Sequence, residues 1–320
     1  MVTISYPKLD EALRLKRLSH PSRRVRMVLD TDAFNEVDDQ FALAYALQST
    51  EQIDMLAVTA APFFNWNSTS PGEGMEKSYH EIFKIYQLMG QKNPPPVFRG
   101  SDRYMGAADS PVDSEGARKI IELALASTQD DPLYVTAIGA ITNVASAIAL
   151  CPEIITRMVL VWLGPNAYWW EHHKIFNCSQ DYAASSVIYD SGVPLVLLPC
   201  HSVASHLLTT PYEIDACLKG KNPLCDYFSE LFHGRHARFG ENKPGWSKVL
   251  WDVSTIAWLI NPEWVPSKLI PTPKLKPDFT YDFSENRAPY REAVFIDRSR
   301  VYVDMFAKLS AIGKAPEASK

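Results

Sequence analysis

The stretch VLDTDAFNEVDDQFAL, residues 28–43, decides both the fold and the chemistry of this chain. Its apolar start predicts a buried strand, and its second part opens a segment of helical period that runs to residue 49. Between strand and helix the chain carries five carboxylates, namely Asp30, Asp32, Glu36, Asp38 and Asp39. The junction therefore combines a signal for α/β structure with a concentration of acidic groups.

The density of acids at this junction indicates a divalent cation. Like charges a few ångströms apart raise one another's pKa, and crowded hard oxygens are the ligands that Ca²⁺ or Mg²⁺ requires. Helix capping is the alternative for Asp38 and Asp39, because acids at a helix N-terminus gain about 0.3 to 1 kcal/mol. Capping leaves Asp30 and Asp32 at the strand end unexplained, so metal binding is the favoured interpretation.

Outward from this junction, apolar runs alternate with segments of helical period. The runs lie at residues 53–59, 133–138, 158–163 and 194–199, and the helical segments lie at 74–89, 117–126, 143–150 and 181–189. Several runs lack polar alternation, as expected of parallel strands buried on both faces. We predict an α/β fold with an open, doubly wound, mostly parallel sheet flanked by helices, Rossmann-like, and function at the carboxyl ends of its strands.

The chain is expected to form a single domain over residues 1–320, with residues 1–25 as an N-terminal extension. Its 320 residues, 46% of them hydrophobic, suffice for one large core. Beyond residue 200 helices are predicted at 212–218, 224–235 and 252–260, joined to the tail by a Pro-rich connection over residues 262–277. The tail predicts an extended pair around Asp297-Arg298 before a last helix.

Composition excludes several classes of protein. The net charge is −5 with no basic stripe, so nucleic acid is not an expected partner. No segment approaches the roughly 18 apolar residues of a membrane span, and no signal-peptide pattern opens the chain. The five cysteines are odd in number and form no CxxC pair, which predicts reduced thiols and a cytoplasmic location.

The acidic junction resembles the N-terminal signature of the inosine-uridine preferring nucleoside hydrolase family. In that family Asp-Thr-Asp is followed by a short spacer and Asp-Asp, and Asp30-Thr31-Asp32 with Asp38-Asp39 matches the pattern. The spacer of residues 33–37 departs from it, being two residues longer and lacking the family's Pro-Gly-Ile. The resemblance implies the fold predicted above.

Three later segments carry the same resemblance in the same order. Residues 138–143 are similar to a strand-to-helix turn ending in Leu-Thr-Asn, and Phe176-Asn177 is similar to a Glu-Phe-Asn segment. Trp251-Asp252 is similar to a His-Asp pair that heads a helix. Two side chains differ from the family: Ile175 stands for the glutamate and Trp251 for the histidine.

The resemblance implies an enzyme that hydrolyses the N-glycosidic bond of ribonucleosides to free base and ribose, with one Ca²⁺ as cofactor. Calcium would be held by the carboxylates of Asp32, Asp39 and Asp252 and by the backbone carbonyl of Ile138. Asp32 would also be the general base that takes a proton from calcium-activated water. Asp38 would hold the ribose 2′-hydroxyl.

Three asparagines are candidates for the other ribose contacts, because an amide both donates and accepts hydrogen bonds. Asn177 follows from the Phe-Asn match, Asn65 lies about one residue from the place where the family carries a ribose-binding asparagine, and Asn166 precedes the loop of residues 167–174. For Asn65 a turn role has equal weight. The three residues therefore rest on unequal grounds.

The loop AYWWEHHK, residues 167–174, is expected beside the leaving base. Trp169 offers a ring that can stack on a base, and His172 or His173 offers a proton. Trp251 is expected on the same side. The alternative for the loop is a surface segment that packs its own tryptophans.

Two other functions remain open at this level. A metal-dependent phosphohydrolase would use Asp30 as nucleophile and Asp32 as acid/base, although it has no need of Asp38-Asp39 or Asp252. A degenerate homologue would bind nucleosides without turnover, which Ile175 makes a serious alternative. Members of the family are commonly dimers or tetramers, so a homo-oligomer is expected.

Overall fold

The computed structural model describes residues 4–238 and 245–314, with the side chains of 235–238 left out. The strands are β1 (Val25–Thr31), β2 (Ile53–Ala60), β3 (Val97–Arg99), β4 (Leu133–Ala137), β5 (Met158–Gly164), β6 (Leu195–Pro199), β7 (Leu208–Thr209), β8 (Lys248–Val249), β9 (Ser267–Pro271), β10 (Lys274–Leu275), β11 (Tyr281–Asp282) and β12 (Pro289–Ala293).

The helices are α1 (Glu11–Leu18), α2 (Asp38–Gln48), α3 (Pro71–Leu88), α4 (Glu115–Leu125), α5 (Thr142–Leu150), α6 (Phe176–Ser179), α7 (Tyr182–Ser191), α8 (Pro211–Cys217), α9 (Pro223–Arg238), α10 (Val253–Ile260) and α11 (Arg298–Ser310). Short 3₁₀ turns lie at Pro152–Thr156 and Ala204–His206. In the described part of the chain, no helix is both long and apolar enough to cross a membrane.

The main sheet has eight strands in the order β3-β2-β1-β4-β5-β6-β12-β9. Its neighbours are parallel except for the β12–β9 pair, so the predicted open, mostly parallel sheet is confirmed. The chain leaves β1 toward β2 on one side, and β4 returns on the other side of β1. This reversal between β1 and β4 is the topological switch point at which α/β sheets bind ligands.

Apolar cores cover both faces of the sheet. The strands β4, β5 and β6 are buried at every residue, as their unbroken apolar runs predicted. One core packs α2, α10 and α11 against one face, and the other packs α4, α5 and α7 against the opposite face. Helices on both faces complete the doubly wound arrangement.

The tail differs from its prediction. No extended pair forms around Asp297-Arg298: Asp297 instead caps α11, its side chain accepting the backbone N–H of Arg300. An antiparallel pair does form earlier in the chain, where β12 pairs with β9. The strand β9 lies inside the Pro-rich connection of residues 262–277. The predicted last helix is confirmed as α11, but the extended pair was wrong, since the tight hairpin turns favoured between strands need glycine at positive φ, which residues 293–300 do not offer.

The described part of the N-terminal extension packs on the domain. Within α1, Arg14 and Arg17 are buried, and the Arg14 guanidinium donates a 2.8 Å hydrogen bond to the carbonyl of Gly192 at the end of α7. Gly192 has φ 74°, a left-handed helix ending that glycine adopts without strain. This segment therefore contributes to the fold through its contact with the end of α7.

Candidate active site

A cavity of about 280 Å³ opens where the strands at the switch point end. Asp32 follows β1, Ile138 follows β4, Leu163 belongs to β5, and Cys200 and His201 follow β6. The remaining wall residues are Asn35, Glu36, Asp38, Asp39, Lys174, Ile175, Phe176, Asn177, Trp251 and Asp252. The acidic junction predicted from the sequence therefore forms one wall of this cavity.

Three carboxylates in the cavity have metal-ligand geometry. One oxygen each from Asp38, Asp39 and Asp252 lie within 4.8 Å of one another, and all three residues are buried. Asp39 belongs to the first turn of α2, and Asp252 immediately precedes α10. Two helix starts, distant in sequence, thus present acids to the same point.

Asp32 lies beside this triplet, and its carboxylate is 1% exposed with neither oxygen receiving a hydrogen bond from a described residue. Burial raises the pKa of Asp32 well above its usual range, and the neighbouring Asp39 and Asp38 raise it further. A buried acceptor without a donor is costly unless a cation or a proton satisfies it. The chemistry of the four carboxylates therefore fits a divalent cation.

Gly139 leaves the space that Asp32 occupies. A Cβ added at Gly139 would lie 2.8 Å from the Asp32 Cγ and 2.9 Å from its Oδ1. Such contacts are closer than any ordinary side chain tolerates, so only glycine fits beside the carboxylate. The glycine of the turn after β4 is therefore a structural requirement of the acidic cluster.

Asp38 and Asp39 make hydrogen bonds that reach across the molecule. Asp38 Oδ2 accepts the backbone N–H of Trp251 at 3.0 Å, and Asp39 Oδ1 accepts the Thr31 hydroxyl at 2.5 Å. Burial and the charge of Asp38 raise the pKa of Asp39 to about 7. These contacts favour the interpretation of the pair as site residues over simple capping of α2.

Asp30 has a different environment from Asp32. Its Oδ1 accepts hydrogen bonds from the Thr59 hydroxyl at 2.6 Å and from the Asn143 amide at 2.7 Å. It is fully buried and does not line the cavity, and burial raises its pKa to about 6. Asp30 therefore joins β1, β2 and α5, and this geometry speaks against its use as a nucleophile.

Lys248 is a site residue that the sequence did not reveal. Its ammonium pairs with Glu36 and lies 3.6 Å from Asp38 Oδ1, with 14% of its side chain exposed. Burial lowers the pKa of Lys248, but the charges of Asp38 and Glu36 outweigh this effect and raise it. Its position three residues before Trp251 was the available signal, although a lone lysine is a weak one.

The sequence profile of the inosine-uridine preferring nucleoside hydrolase family matches residues 27–310. The chain belongs to this nucleoside hydrolase family. Its activity class is therefore that of a hydrolase acting on the N-glycosidic bond of ribonucleosides, and the resemblance stated from the motifs is confirmed.

Relatives of this nucleoside hydrolase carry both kinds of base preference in their names. The pyrimidine-specific ribonucleoside hydrolase RihA of Klebsiella pneumoniae is 26% identical over 261 residues, which cover 74% of this chain and 80% of the relative. RihA of Photobacterium profundum is 28% identical over 267 residues, 74% of this chain and 80% of the relative.

A solved purine-preferring ribonucleoside hydrolase from Gardnerella vaginalis has the same fold, with a TM-score of 0.70 at 19% identity over 90% of this chain and 99% of the other. At this identity the comparison concerns the fold, and the site residues of this nucleoside hydrolase are argued from its own geometry.

Seven of the predicted site residues of this nucleoside hydrolase line the cavity together: Asp32, Asp38, Asp39, Ile138, Asn177, Trp251 and Asp252. The Asn177 Nδ2 donates to the Ile138 carbonyl at 2.8 Å and to the Leu163 carbonyl at 3.1 Å. Its Oδ1 receives no hydrogen bond from a described residue. The amide is therefore fixed at the ends of β4 and β5 with its oxygen unused.

Asn65 and Asn166 do not line the cavity. The Asn65 amide donates to the Asn35 side chain, which does line it. The Asn166 amide donates to the His172 carbonyl at 3.1 Å, and its oxygen accepts the backbone N–H of His201 at 3.3 Å. Both asparagines thus hold neighbouring segments in place, and a direct ribose contact by either stays a prediction.

The loop of residues 167–174 lies at the cavity's edge, yet Trp169, His172 and His173 do not line it. Trp169 is 51% exposed, and His173 is buried with its ring stacked on Tyr281 at 3.4 Å. Burial lowers the pKa of His173 to about 4, so this imidazole is neutral near pH 7. The geometry gives His173 a packing role.

The cavity wall after β6 holds a histidine that lies in the same cavity as the acidic side of the predicted site. His201 lines the cavity, although it was not among the predicted site residues. It directly follows Pro199-Cys200 at the carboxyl end of a predicted strand, and that position was the signal that could have identified it.

Proposed function

We propose that this chain hydrolyses ribonucleosides with Asp32 as general base and a calcium ion held by Asp32, Asp39, Asp252 and the Ile138 carbonyl. The single observation that carries the proposal is the buried cluster of Asp38, Asp39 and Asp252 at the switch point with Asp32 beside it, whose carboxylate has no hydrogen-bond donor among the described residues. A bound calcium ion would raise the acidity of a water ligand and orient the ribose hydroxyls.

Asp38 differs from the other three acids in a way that supports a ribose contact. Its oxygens already interact with the Trp251 backbone N–H and with the Lys248 ammonium, so it needs a cation less. A carboxylate held in this way accepts a hydrogen bond from the 2′-hydroxyl. Asn177, whose Oδ1 is unused, supplies a further acceptor for ribose.

Asp32 would take the proton of the attacking water as the water oxygen bonds to C1′. Its carboxylate packs closely against Gly139 on one side and faces the acidic cluster on the other. These neighbours restrict its position. Such restriction favours proton transfer, because a general base contributes about 10²–10⁴-fold only when it is correctly placed.

Ile175 lines the cavity where the family carries a glutamate, which supports a changed sugar preference. A ribose hydroxyl left unpaired on binding costs about 1 to 3 kcal/mol. We therefore expect 5′-deoxy or otherwise modified nucleosides to be used better than common ribonucleosides. Equal or better use of unmodified ribose would contradict this part of the proposal.

The proposed function is tested by the release of reducing sugar from purine, pyrimidine and modified nucleosides. Both base classes are included because named relatives differ in preference. Wild type and Asp32→Ala are assayed with calcium and after chelation. Calcium-dependent release that Asp32→Ala abolishes supports the proposal, whereas no release by calcium-loaded wild type would favour a nucleoside-binding homologue.

We also propose a cellular location and an oligomeric state for the enzyme. All five cysteines are free, which supports a reducing location such as the cytoplasm. A homo-oligomer, dimer or tetramer, is expected from the family, and light scattering after gel filtration measures it directly. A monomer at micromolar concentration would contradict this expectation.

A further inference from the structure

The base side of the cavity lacks the proton donors that the sequence led us to expect. Trp251 stands where a histidine was expected, and neither His172 nor His173 lines the cavity. Breaking a bond between C1′ and a base nitrogen leaves an electron pair on that nitrogen, and a positioned acid accelerates its departure. Among the described residues, the remaining basic side chains that line the cavity are His201 and Lys174.

His201 is the histidine that lines the cavity, and two tryptophan rings hold it. The Trp170 ring stacks on the imidazole, with 5.2 Å between centroids and 29° between planes. The Trp251 ring meets it edge-on, with centroids 5.7 Å apart and planes at 88°. We call Trp170, His201 and Trp251 the aromatic clamp.

The backbone around His201 fixes the aromatic clamp. The His201 N–H donates to Asn166 Oδ1 at 3.3 Å, and the Trp170 Nε1–H donates to the Ser202 hydroxyl at 2.6 Å. Ser202 has φ 81°, a left-handed conformation uncommon for a residue with a side chain. These contacts set the direction of the chain just after β6 while no described residue hydrogen-bonds the His201 ring nitrogens.

We propose that His201 is the catalytic residue that contacts the leaving base and gives it a proton. This inference rests on the proposed function of the same cavity. As the C1′–N bond breaks, its electron pair goes to the base nitrogen, which takes a proton from the His201 imidazolium and leaves a neutral imidazole. The water oxygen bonds to C1′ and its proton goes to Asp32, so atoms and charges balance. The cycle closes when Asp32 releases its proton to solvent and solvent returns a proton to His201.

Lys174 is the competing donor, since its side chain also lines the cavity. It is exposed and belongs to the same loop as Trp170, but none of its contacts to described residues fixes its ammonium. A flexible stem gives a proton donor that is poorly placed, whereas the imidazole is held between two rings. The geometry therefore favours His201, and Lys174→Met separates the two.

The test compares a nucleoside with para-nitrophenyl riboside, whose leaving group departs without protonation. We expect His201→Asn to lower kcat for nucleosides by about 100-fold or more and to change the rate for para-nitrophenyl riboside by less than about threefold. His206→Asn is the matched control, because His206 is also exposed and packs against Phe295 outside the cavity. It should leave both rates unchanged.

Three results would overturn the role of His201: equal losses for both substrates, no loss for nucleosides, or the selective loss in Lys174→Met instead. Asp32→Asn must lower both rates, because it acts on the water and not on the leaving group. Failure of wild type on both substrates would overturn the proposed function and this inference with it. Thermal unfolding of each variant shows that the fold is retained.

Discussion

The two sides of the cavity are built in different ways. On the acidic side, Asp32 and Asp39 are at most 2% exposed and are placed by the ends of strands and the starts of helices. On the loop side, Trp169 and Trp170 are 51% and 39% exposed and belong to a segment without regular structure. In the proposed function, the sheet fixes the groups that act on ribose and water, while loops that can vary meet the base.

The largest expected effect separates Asp32 from Asp30, two acids at the same strand end. Asp32→Ala should lower kcat by about 10³-fold or more, because it removes the proposed general base. It should not destabilise the metal-free protein, since it relieves repulsion among buried carboxylates. Activity and thermal unfolding of the same preparations measure both effects.

Asp30→Ala is the matched variant. It should lower the stability of the protein and leave kcat of the folded enzyme nearly unchanged. The substitution leaves the Thr59 hydroxyl without its acceptor, at about 1 to 3 kcal/mol of unfolding free energy, and reduces the Asn143 amide to its 3.1 Å hydrogen bond with the Ala60 carbonyl. If Asp30→Ala lost activity at full stability, the structural role given to Asp30 would be wrong.

A smaller effect on the acidic side is expected from Gly139→Ala. The added Cβ would displace the Asp32 carboxylate, and a shift of about 1 Å in a catalytic group can cost about 10²-fold in rate. Gly234→Ala in α9 is the control, because a Cβ there meets nothing within 4 Å and favours the helix. Unchanged kcat in Gly139→Ala would mean that Asp32 tolerates displacement.

On the loop side, Ile175→Glu should restore a polar ribose contact and so favour common ribonucleosides over 5′-deoxy analogues. We expect kcat/KM for common ribonucleosides to rise about 10-fold relative to their 5′-deoxy analogues, the equivalent of about 1.4 kcal/mol. Ile175→Gln controls for charge. An equal change for both sugars would show that residue 175 does not contact the hydroxyl.

The smallest expected effect is the dependence of metal-free stability on pH. The pKa of Asp39 is raised to about 7 and that of Asp30 to about 6, so the folded state holds protons that the unfolded state releases from about pH 4 upward. Stability should therefore fall as pH rises from about 4 to 7, lowering Tm by about 5 °C.

Calcium should reverse this trend, because its binding requires the deprotonated carboxylates that burial disfavours. Differential scanning calorimetry in chelator and in excess calcium distinguishes the two states. A chelated protein whose Tm rose over the same range would show that the acidic side is not under charge repulsion. Magnesium serves as the control for selectivity.

Much of the acidic side could be predicted from the sequence, and the reason is physical. An apolar strand followed by acids predicted that Asp32 and Asp39 reach the switch point, while Ile138 and Asp252 were added by the family resemblance, and all four line one cavity. Lys248 could not be predicted, because its partners Glu36 and Asp38 lie some 210 residues away in the chain. Charge neutralisation at that distance leaves no local pattern.

The loop side resisted prediction for a different reason. The four aromatic and basic side chains of residues 169–173 gave no indication of which faced the cavity, and His173 is instead packed on Tyr281 from a distant segment. The tendency of ligands to bind at the carboxyl ends of strands could have identified His201, which follows β6. A single histidine is a weaker sequence signal than a loop rich in tryptophan. Irregular segments are fixed by tertiary contacts, which sequence periodicity does not encode.

The longer spacer between the two acidic motifs matters for anyone who grafts sites between members of the family. Glu36, one of the spacer residues, forms an ion pair with Lys248 on β8. The spacer and β8 should therefore be exchanged together. Replacing the spacer alone with a three-residue version would remove Glu36. The buried Lys248 ammonium would then have Asp38 as its remaining acidic neighbour of the two. Chimeras that exchange residues 33–37 together with 246–251 keep the ion pair within one parental set.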